Sequence, residues 1–168
     1  HTGDTTIANI TSLILESANA LSDNSALSIA NGTLDATIAG TDSTGTLDVT
    51  STATINLAAG ANLAFADSHL VDWAGGSLNI TGNFVSGSSL RFGTDAAGLD
   101  SAQLALITAT GFSSFGLDAN GYLTATSTGG YSAWQTANGT TQTIDLDHDN
   151  DGVSNGVEYF LGGNSDTT

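Results

Sequence analysis

Cysteine is absent from the 168 residues, so no disulfide, thiolate metal site or cysteine nucleophile exists in this chain. Proline and methionine are absent too, and Lys+Arg totals 1 against Asp+Glu 17, a formal net charge of −16. A surface of that sign repels phosphate backbones and anionic lipid, which argues against nucleic-acid and membrane partners. No stretch approaches the roughly 20 apolar residues of a membrane span. Only 11% of residues are charged while 39% are hydrophobic, so most of the polarity is hydroxyl and amide. That composition fits a folded chain rather than an acidic disordered tail. A first residue of His1 and no methionine fit an exported, extracellular chain whose signal segment has been removed. The length suits one core and a small appendage.

From Thr5 to Ala125 apolar residues recur at spacing two in short runs, among them Leu27/Ile29, Leu34/Ala36, Leu47/Val49, Ile55/Leu57, Leu63/Phe65, Leu78/Ile80, Leu90/Phe92 and Phe115/Leu117. This is the pattern of half-buried strands. Turn residues such as Asn31-Gly32, Gly75-Gly76, Gly82-Asn83 and Asn120-Gly121 interrupt them at intervals of about 8 to 12, the spacing expected of a sandwich. The string Gly32-Thr33-Leu34-Asp35 recurs as Gly45-Thr46-Leu47-Asp48 and loosely as Gly76-Ser77-Leu78-Asn79. A parallel β-helix would stack such repeats, but its strands need a near-constant period, and these intervals are unequal. An all-β, antiparallel, jelly-roll-like β-sandwich is therefore expected, with a parallel β-helix as the alternative.

Two short helices are expected. Asp100 with Gln103 makes a capping box, and Leu99 with Leu104 a staple, for a helix over 101–107. Ser132 with Gln135 begins a second, stopped by Gly139. The Thr126-Ser127-Thr128-Gly129-Gly130 joint divides the chain into a sandwich domain, 1–128, and a loop–helix module, 129–168. Within 63–126, the strings Leu63-Ala64-Phe65-Ala66-Asp67-Ser68, Val71-Asp72-Trp73-Ala74-Gly75-Gly76-Ser77-Leu78-Asn79-Ile80-Thr81, Leu90-Arg91-Phe92-Gly93-Thr94-Asp95, Gly98-Leu99-Asp100-Ser101-Ala102-Gln103-Leu104 and Leu117-Asp118-Ala119-Asn120-Gly121-Tyr122-Leu123 resemble a β-rich passenger module. Modules of that kind occur in secreted and surface proteins of Verrucomicrobia and related bacteria. The resemblance implies an exported adhesive or matrix-forming β module and names no activity.

The sharpest motif is Asp147-His148-Asp149-Asn150-Asp151-Gly152-Val153-Ser154-Asn155-Gly156-Val157-Glu158. It places carboxylates at loop positions one, three and five, glycine at six and glutamate at twelve, the pattern of a calcium loop. Calcium takes about six to eight oxygens: Asp147, Asp149, Asp151, the Val153 carbonyl, Asn155 directly or through water, and Glu158 as a bidentate closure. Asp145, two residues upstream, would extend the cluster or serve a neighbouring ion. With Arg91 the only Lys or Arg in the chain, these acids have no internal counterions, and crowding them costs several kcal/mol by order of magnitude. Segment 140–146 alternates and is rich in β-branched residues, so it enters the loop extended, and Ser154 replaces the aliphatic residue that pairs two EF-hands. Over 131–162 the arrangement resembles the dockerin or thrombospondin type 3 class of extracellular calcium repeats.

Other residues have plainer assignments. Arg91 is expected to pair with an acid such as Asp95, His148 to face solvent, and Asp42, Asp48, Asp67, Asp72, Asp95 and Asp118 to serve turns rather than ions. Trp73 is expected in the core, with Trp134 and Tyr159 packing the calcium module onto its neighbour. The functional expectation is a non-catalytic, extracellular structural protein: a calcium-stabilised subunit of a filament, tube, sheath or surface layer. It would form a homo-polymer through calcium-dependent contacts and strand exchange by residues 5–10 and 12–16. A calcium-dependent carbohydrate-binding or adhesion module, with glycan partners, is the alternative. A remote one is a copper-dependent polysaccharide monooxygenase using His1 with His69.

Overall fold

A computed structural model of the chain describes residues 3–36, 40–131, 134 and 142–161. Two units are distinguished, His1–Thr126 and Ser127–Thr168. The first is nearly all strand, as alternation predicts, but its topology is a parallel β-solenoid and not an antiparallel sandwich.

The chain winds in successive coils. The first contributes β1 (Thr5–Ala8) and β2 (Ser12–Ile14). The second contributes β3 (Leu27–Ala30), β4 (Gly32–Ala36) and β5 (Gly40–Thr44). The third contributes β6 (Leu47–Val49), β7 (Thr52–Leu57) and β8 (Ala61–Phe65). The fourth holds β9 (Ser77–Gly82) and β10 (Leu90–Phe92); the last holds helix α1 (Ser101–Ala105) and β11 (Ile107–Ala109). Stacked coils make three parallel sheets, ordered β1-β3-β6, β2-β4-β7-β9-β11 and β5-β8-β10. β12 (Phe112–Leu117) and β13 (Leu123–Ser127) pair across a tight turn at Asp118–Tyr122.

The reason for the correction lies in the register. Leu27 pairs with Leu47, Gly32 with Ala53 and Gly40 with Ala61, so partners lie 20 to 21 residues apart in the middle coils. The separation widens to 25 at Leu78 against Ala53, 27 at Leu90 against Leu63 and 29 at Ile107 against Leu78. A solenoid therefore tolerates unequal coils provided that the extra residues leave at corners. The two Gly-Thr-Leu-Asp strings sit on different faces: Leu34 lies in β4 against Ile55, Leu47 in β6 against Leu27. Their interval of 13 never was the coil period. Asn31-Gly32 marks a corner, with Asn31 at φ 62°, rather than a hairpin.

Alternation gives every strand one inward set. Ile7, Ile29 and Val49 stack on one face, Leu34, Ile55 and Ile80 on the second, Leu63 over Leu90 on the third, all buried. Phe65 stacks on Phe92 at 5.1 Å. Outward positions form polar ladders: Asn56 donates to Asp35 at 2.9 Å and accepts from Thr81 at 3.1 Å. The open edge of β6 is closed by 66–74, where Leu47 N–H donates to Ser68 Oγ (3.0 Å) and Trp73 Nε1 donates to Leu47 O (3.0 Å). Trp73 is accordingly buried, as expected. The chain passes so close to this coil that a Cβ on Gly76 would lie 2.0 Å from Val49 O.

The Asp100 capping box forms, with Gln103 N–H donating to Asp100 at 2.7 Å and Asp100 N–H to Gln103 Oε1 at 2.8 Å; the helix ends at Ala105, short of 107. The second expected helix, at Ser132, Gln135 and Gly139, lies outside the described residues apart from 131 and 134. No helix among the described residues is long and apolar enough to cross a membrane. Ile55 sits mid-ladder at 0% exposure, so Ile55→Ala should cost about 3 kcal/mol through lost transfer energy and a cavity. Chemical denaturation reads this as a lower midpoint at unchanged slope.

Candidate metal centre

The second unit carries the acidic loop and the helix that follows it, α2 (Asn155–Leu161). Asn150 (φ 59°) and Gly152 (φ 93°) adopt left-handed backbone, which turns the chain sharply enough to gather alternate aspartates on one side. One ligand oxygen from each of Asp147, Asp149 and Asp151 lies within 4.8 Å of the others.

Backbone amides hold each carboxylate by one oxygen. Gly152 N–H donates to Asp147 Oδ2 (2.9 Å), Asp151 N–H to Asp149 Oδ1 (3.2 Å) and Val153 N–H to Asp151 Oδ1 (2.8 Å). Asp147 Oδ1 and Asp149 Oδ2 are left buried without a hydrogen-bond partner. Leaving a carboxylate oxygen buried without a partner is costly, and a bound cation is one way to remove that cost. Asn155, 0% exposed, donates through Nδ2 to Thr143 O (3.1 Å), and its Oδ1 is likewise buried without a partner. Glu158, one turn further along α2, is 6% exposed, unusual burial for a carboxylate. Five of the expected ligands thus include the three clustered aspartates and two buried oxygen-bearing side chains on α2. All are oxygen donors, the set that a hard cation such as Ca²⁺ takes.

Two expected ligands stand differently. Val153 is solvent-exposed and reaches the loop through its backbone. Asp145 is not one of the three clustered carboxylates: its Oδ1 accepts a 2.6 Å bond from Thr143 Oγ1, and that bond holds the carboxyl below the ordinary carboxylate range. The segment around it is tied to α2, with Asn155 N–H donating to Leu146 O and Gly156 N–H to Ile144 O, both at 2.8 Å. No glycine at 156 would mean a Cβ 2.8 Å from that Ile144 oxygen.

Beside the loop, Tyr131 stacks on Trp134 at 5.4 Å, and Tyr159 meets both edge-on. Tyr131 OH donates to Gln142 O at 3.0 Å. Desolvation, joined by the charges of Asp145 and Glu158, pushes the Tyr131 phenol above its ordinary value. The three rings pack on one another.

Elsewhere the expected turn roles appear. Asp67, Asp72, Asp95 and Asp118 accept from the N–H groups two residues on, in His69, Ala74, Ala97 and Asn120, at 2.8–3.1 Å. Asp48 and Asp42 lie in strands β6 and β5 instead of turns: Asp48 accepts from Ser28 Oγ, and buried Asp42 accepts from the Ala20 and Leu21 N–H groups. Arg91 departs from expectation: its guanidinium carbon lies 5.9 Å from the Tyr122 ring centroid rather than in a salt bridge with Asp95. His148 is half-buried, not solvent-facing. His1 lies outside the described residues, while His69 Nδ1 contacts Asp67 at 2.7 Å. Comparison with family models, with curated proteins and with solved structures gives no match.

Because the Thr143 hydroxyl is the larger of the two hydrogen bonds that hold the Asp145 carboxyl low, the other being from a backbone amide, Thr143→Val should raise its midpoint part of the way toward the ordinary carboxylate value. An NMR pH titration of the Asp145 side chain reads the change; an unmoved midpoint would refute the assigned cause.

Proposed function

We propose that this chain is a non-catalytic extracellular structural protein whose C-terminal unit is organised by one bound Ca²⁺. The observation that carries the proposal is the pair of buried, partnerless carboxylate oxygens on Asp147 and Asp149, inside a loop that Gly152 bends around them. Asp151, Asn155 and Glu158 complete the oxygen set, and the Val153 carbonyl adds a neutral ligand. The cation fixes α2 against the loop, since its ligands come from both. Extracellular loops of this class bind with dissociation constants on the order of 10⁻⁴ to 10⁻³ M, matched to compartments rich in calcium. At a free concentration about a hundredfold above the constant, binding adds roughly 2.7 kcal/mol of stability. That contribution stands where a small exported domain otherwise uses disulfides.

The assembled form would be a filament, sheath or surface layer. Copies of a molecule at −16 repel until cations screen or bridge them, which makes assembly calcium-sensitive. A wall of stacked coils with polar ladders outside suits a rigid spacer.

Calorimetric titration of Ca²⁺ into the full chain should show one site, and chelation should melt the far-UV helical signal and shift Trp134 emission. Glu158→Gln should weaken binding by tenfold or more, about 1.4 kcal/mol, with the solenoid's melting unaffected. An unchanged isotherm in that variant, or no heat at all in the parent, would contradict the proposal.

A further inference from the structure

The three sheets of the solenoid end differently. The β1-β3-β6 sheet is closed at β6 by Ser68 and Trp73. The β5-β8-β10 sheet is closed at both ends, by Asn19 N–H donating to Thr41 O beside β5 and by Phe92 N–H in β10 donating to Gly121 O. Among the described residues, the central sheet, β2-β4-β7-β9-β11, is the one left open at both ends: β2 pairs only with β4, and β11 only with β9. Neither strand contains the proline or lysine that usually blunts an edge.

Backbone alternation fixes what each open edge presents. Thr33 N–H donates to Thr11 O and Leu15 N–H to Asp35 O, so Leu13 turns its peptide groups toward β4 while Ser12 and Ile14 turn theirs away. Leu78 N–H donates to Leu106 O, so Thr108 faces β9 while Ile107 and Ala109 face away. Leu13 lies in register with Leu34, and Ile107 and Ala109 with Leu78 and Ile80, so all three are inward positions. The free groups thus belong to inward residues on β11 and to outward residues on β2. That is the relation two neighbouring strands of one parallel sheet must have. With Ala109 opposite Leu13 of another copy, Ala109 N–H meets Ser12 O, Ile14 N–H meets Ala109 O, and inward side chains stay inward.

Side chains match at the same two edges. A cavity of about 570 Å³ is lined by Ile107, Thr108 and Ala109 together, although their side chains alternate in direction, so it follows the free edge of β11 rather than one face. Leu104 of α1 and Phe112 and Phe115 of β12 give it apolar walls, and none of its lining residues is charged. At the other end of the sheet Ile10 is 85% exposed and Ile14 51%. Ile10 also stands at φ 61°, a strained backbone for a β-branched residue, and such strain points to a use for the side chain where it stands. Residues 5–15 carry no charge, so copies of a chain at −16 can meet through this edge and that cavity without opposing like charges in the contact.

We infer that β2 of one copy adds to β11 of the next, head to tail, continuing the central sheet across the joint while the exposed isoleucines cover the apolar cavity. Main-chain bonds at an edge with a neighbouring pocket for side chains are the elements of recognition by strand addition. β2 keeps its pairing with β4, so the joint forms by addition and not by exchange. A contact between unlike surfaces does not close on itself, and it propagates as a filament. The inference rests on the filament reading and names its joint; it uses none of the metal ligands. β2 and β11 have 3 residues each, small beside a standard interface of about 20–30 residues a side, so one joint is weak and assembly is concentration-dependent. Asp4 and Glu16 bracket one surface and Asp100 and Asp118 the other, so screening by salt strengthens it.

Ser12 of one copy falls opposite Thr108 of the next, and both are exposed. Within one copy they lie at opposite ends of a five-stranded sheet, about 19 Å apart at four strand spacings. The chain has no cysteine of its own. The full chain carrying Ser12→Cys and Thr108→Cys, treated with a short-spacer bismaleimide, should therefore give a ladder of multimers on a denaturing gel, and either single variant none. Ile14→Pro and Ala109→Pro each delete one free N–H and leave the existing pairings intact. Each alone should raise the concentration needed for assembly about tenfold or more, and their equimolar mixture should stop at a dimer in sedimentation velocity, since one intact edge remains on each. Dimers from Ser12→Cys alone would show a head-to-head contact and overturn the inference, as would the absence of a ladder. Filaments indifferent to both proline variants would overturn the joint and leave the filament reading standing. A parent chain monomeric at every concentration, in calcium and in chelator, would remove both. Should a proline variant fail to fold, the cysteine pair still decides. An intact ladder without calcium binding heat would count against the metal proposal alone.

Discussion

With Arg91 as its only Lys or Arg, this chain must satisfy its carboxylates by hydrogen bonds or by cations from outside. That constraint runs through the whole molecule. In the solenoid, Asp67, Asp72, Asp95 and Asp118 are held by turn amides, Asp42 by a loop, Asp100 by its capping box and Asp35 by the Asn56 amide. Each keeps its charge on good terms with a local dipole, and charge-assisted bonds of this kind are among the stronger ones. Arg91 itself is used over an aromatic ring. The acidic loop is where the supply of donors runs short. Its amides hold one oxygen of each aspartate, and Asp147 and Asp149 retain a second that accepts no hydrogen bond among the described residues.

Architecture and charge are related. Outward strand positions that carry hydroxyls and amides build ladders without ion pairs, so the wall of the solenoid needs no basic residues. Inward positions need only apolar bulk, and Leu, Ile, Val and Phe supply it. The cost of closing each coil is concentrated at corners, where Asn31, Gly76 and the strained Ile10 sit. Those corners, rather than the strands, distinguish one coil from another and give the two ends their different chemistry.

Much of this was legible in the sequence at the level of elements. Alternation located the strands, Asp100 with Gln103 located α1, and loop spacing grouped Asp147, Asp149 and Asp151. Topology was not legible, because a corner of a triangular coil and a hairpin turn use the same residues. Asn31-Gly32 is a corner, while Asn120-Gly121 belongs to a tight turn between consecutive strands. The repeated Gly-Thr-Leu-Asp strings misled, since residues that stack share only apolar character, as Leu34, Ile55 and Ile80 do. Around the loop, Asp145 is expected beside the cluster from its proximity in sequence. Its bond from Thr143, two residues away, is a local hydroxyl contact that charge counting does not reveal. The Arg91–Tyr122 contact was hidden for a different reason: β10 and the β12–β13 turn meet only through the fold.

The most direct measurement is anomalous diffraction from crystals of the full chain grown with calcium. The account predicts a single strong peak about 2.3–2.6 Å from Asp147 Oδ1 and Asp149 Oδ2, with Asp151, Asn155 and Glu158 around it. A well-ordered loop of the same geometry with no peak at that position would contradict it.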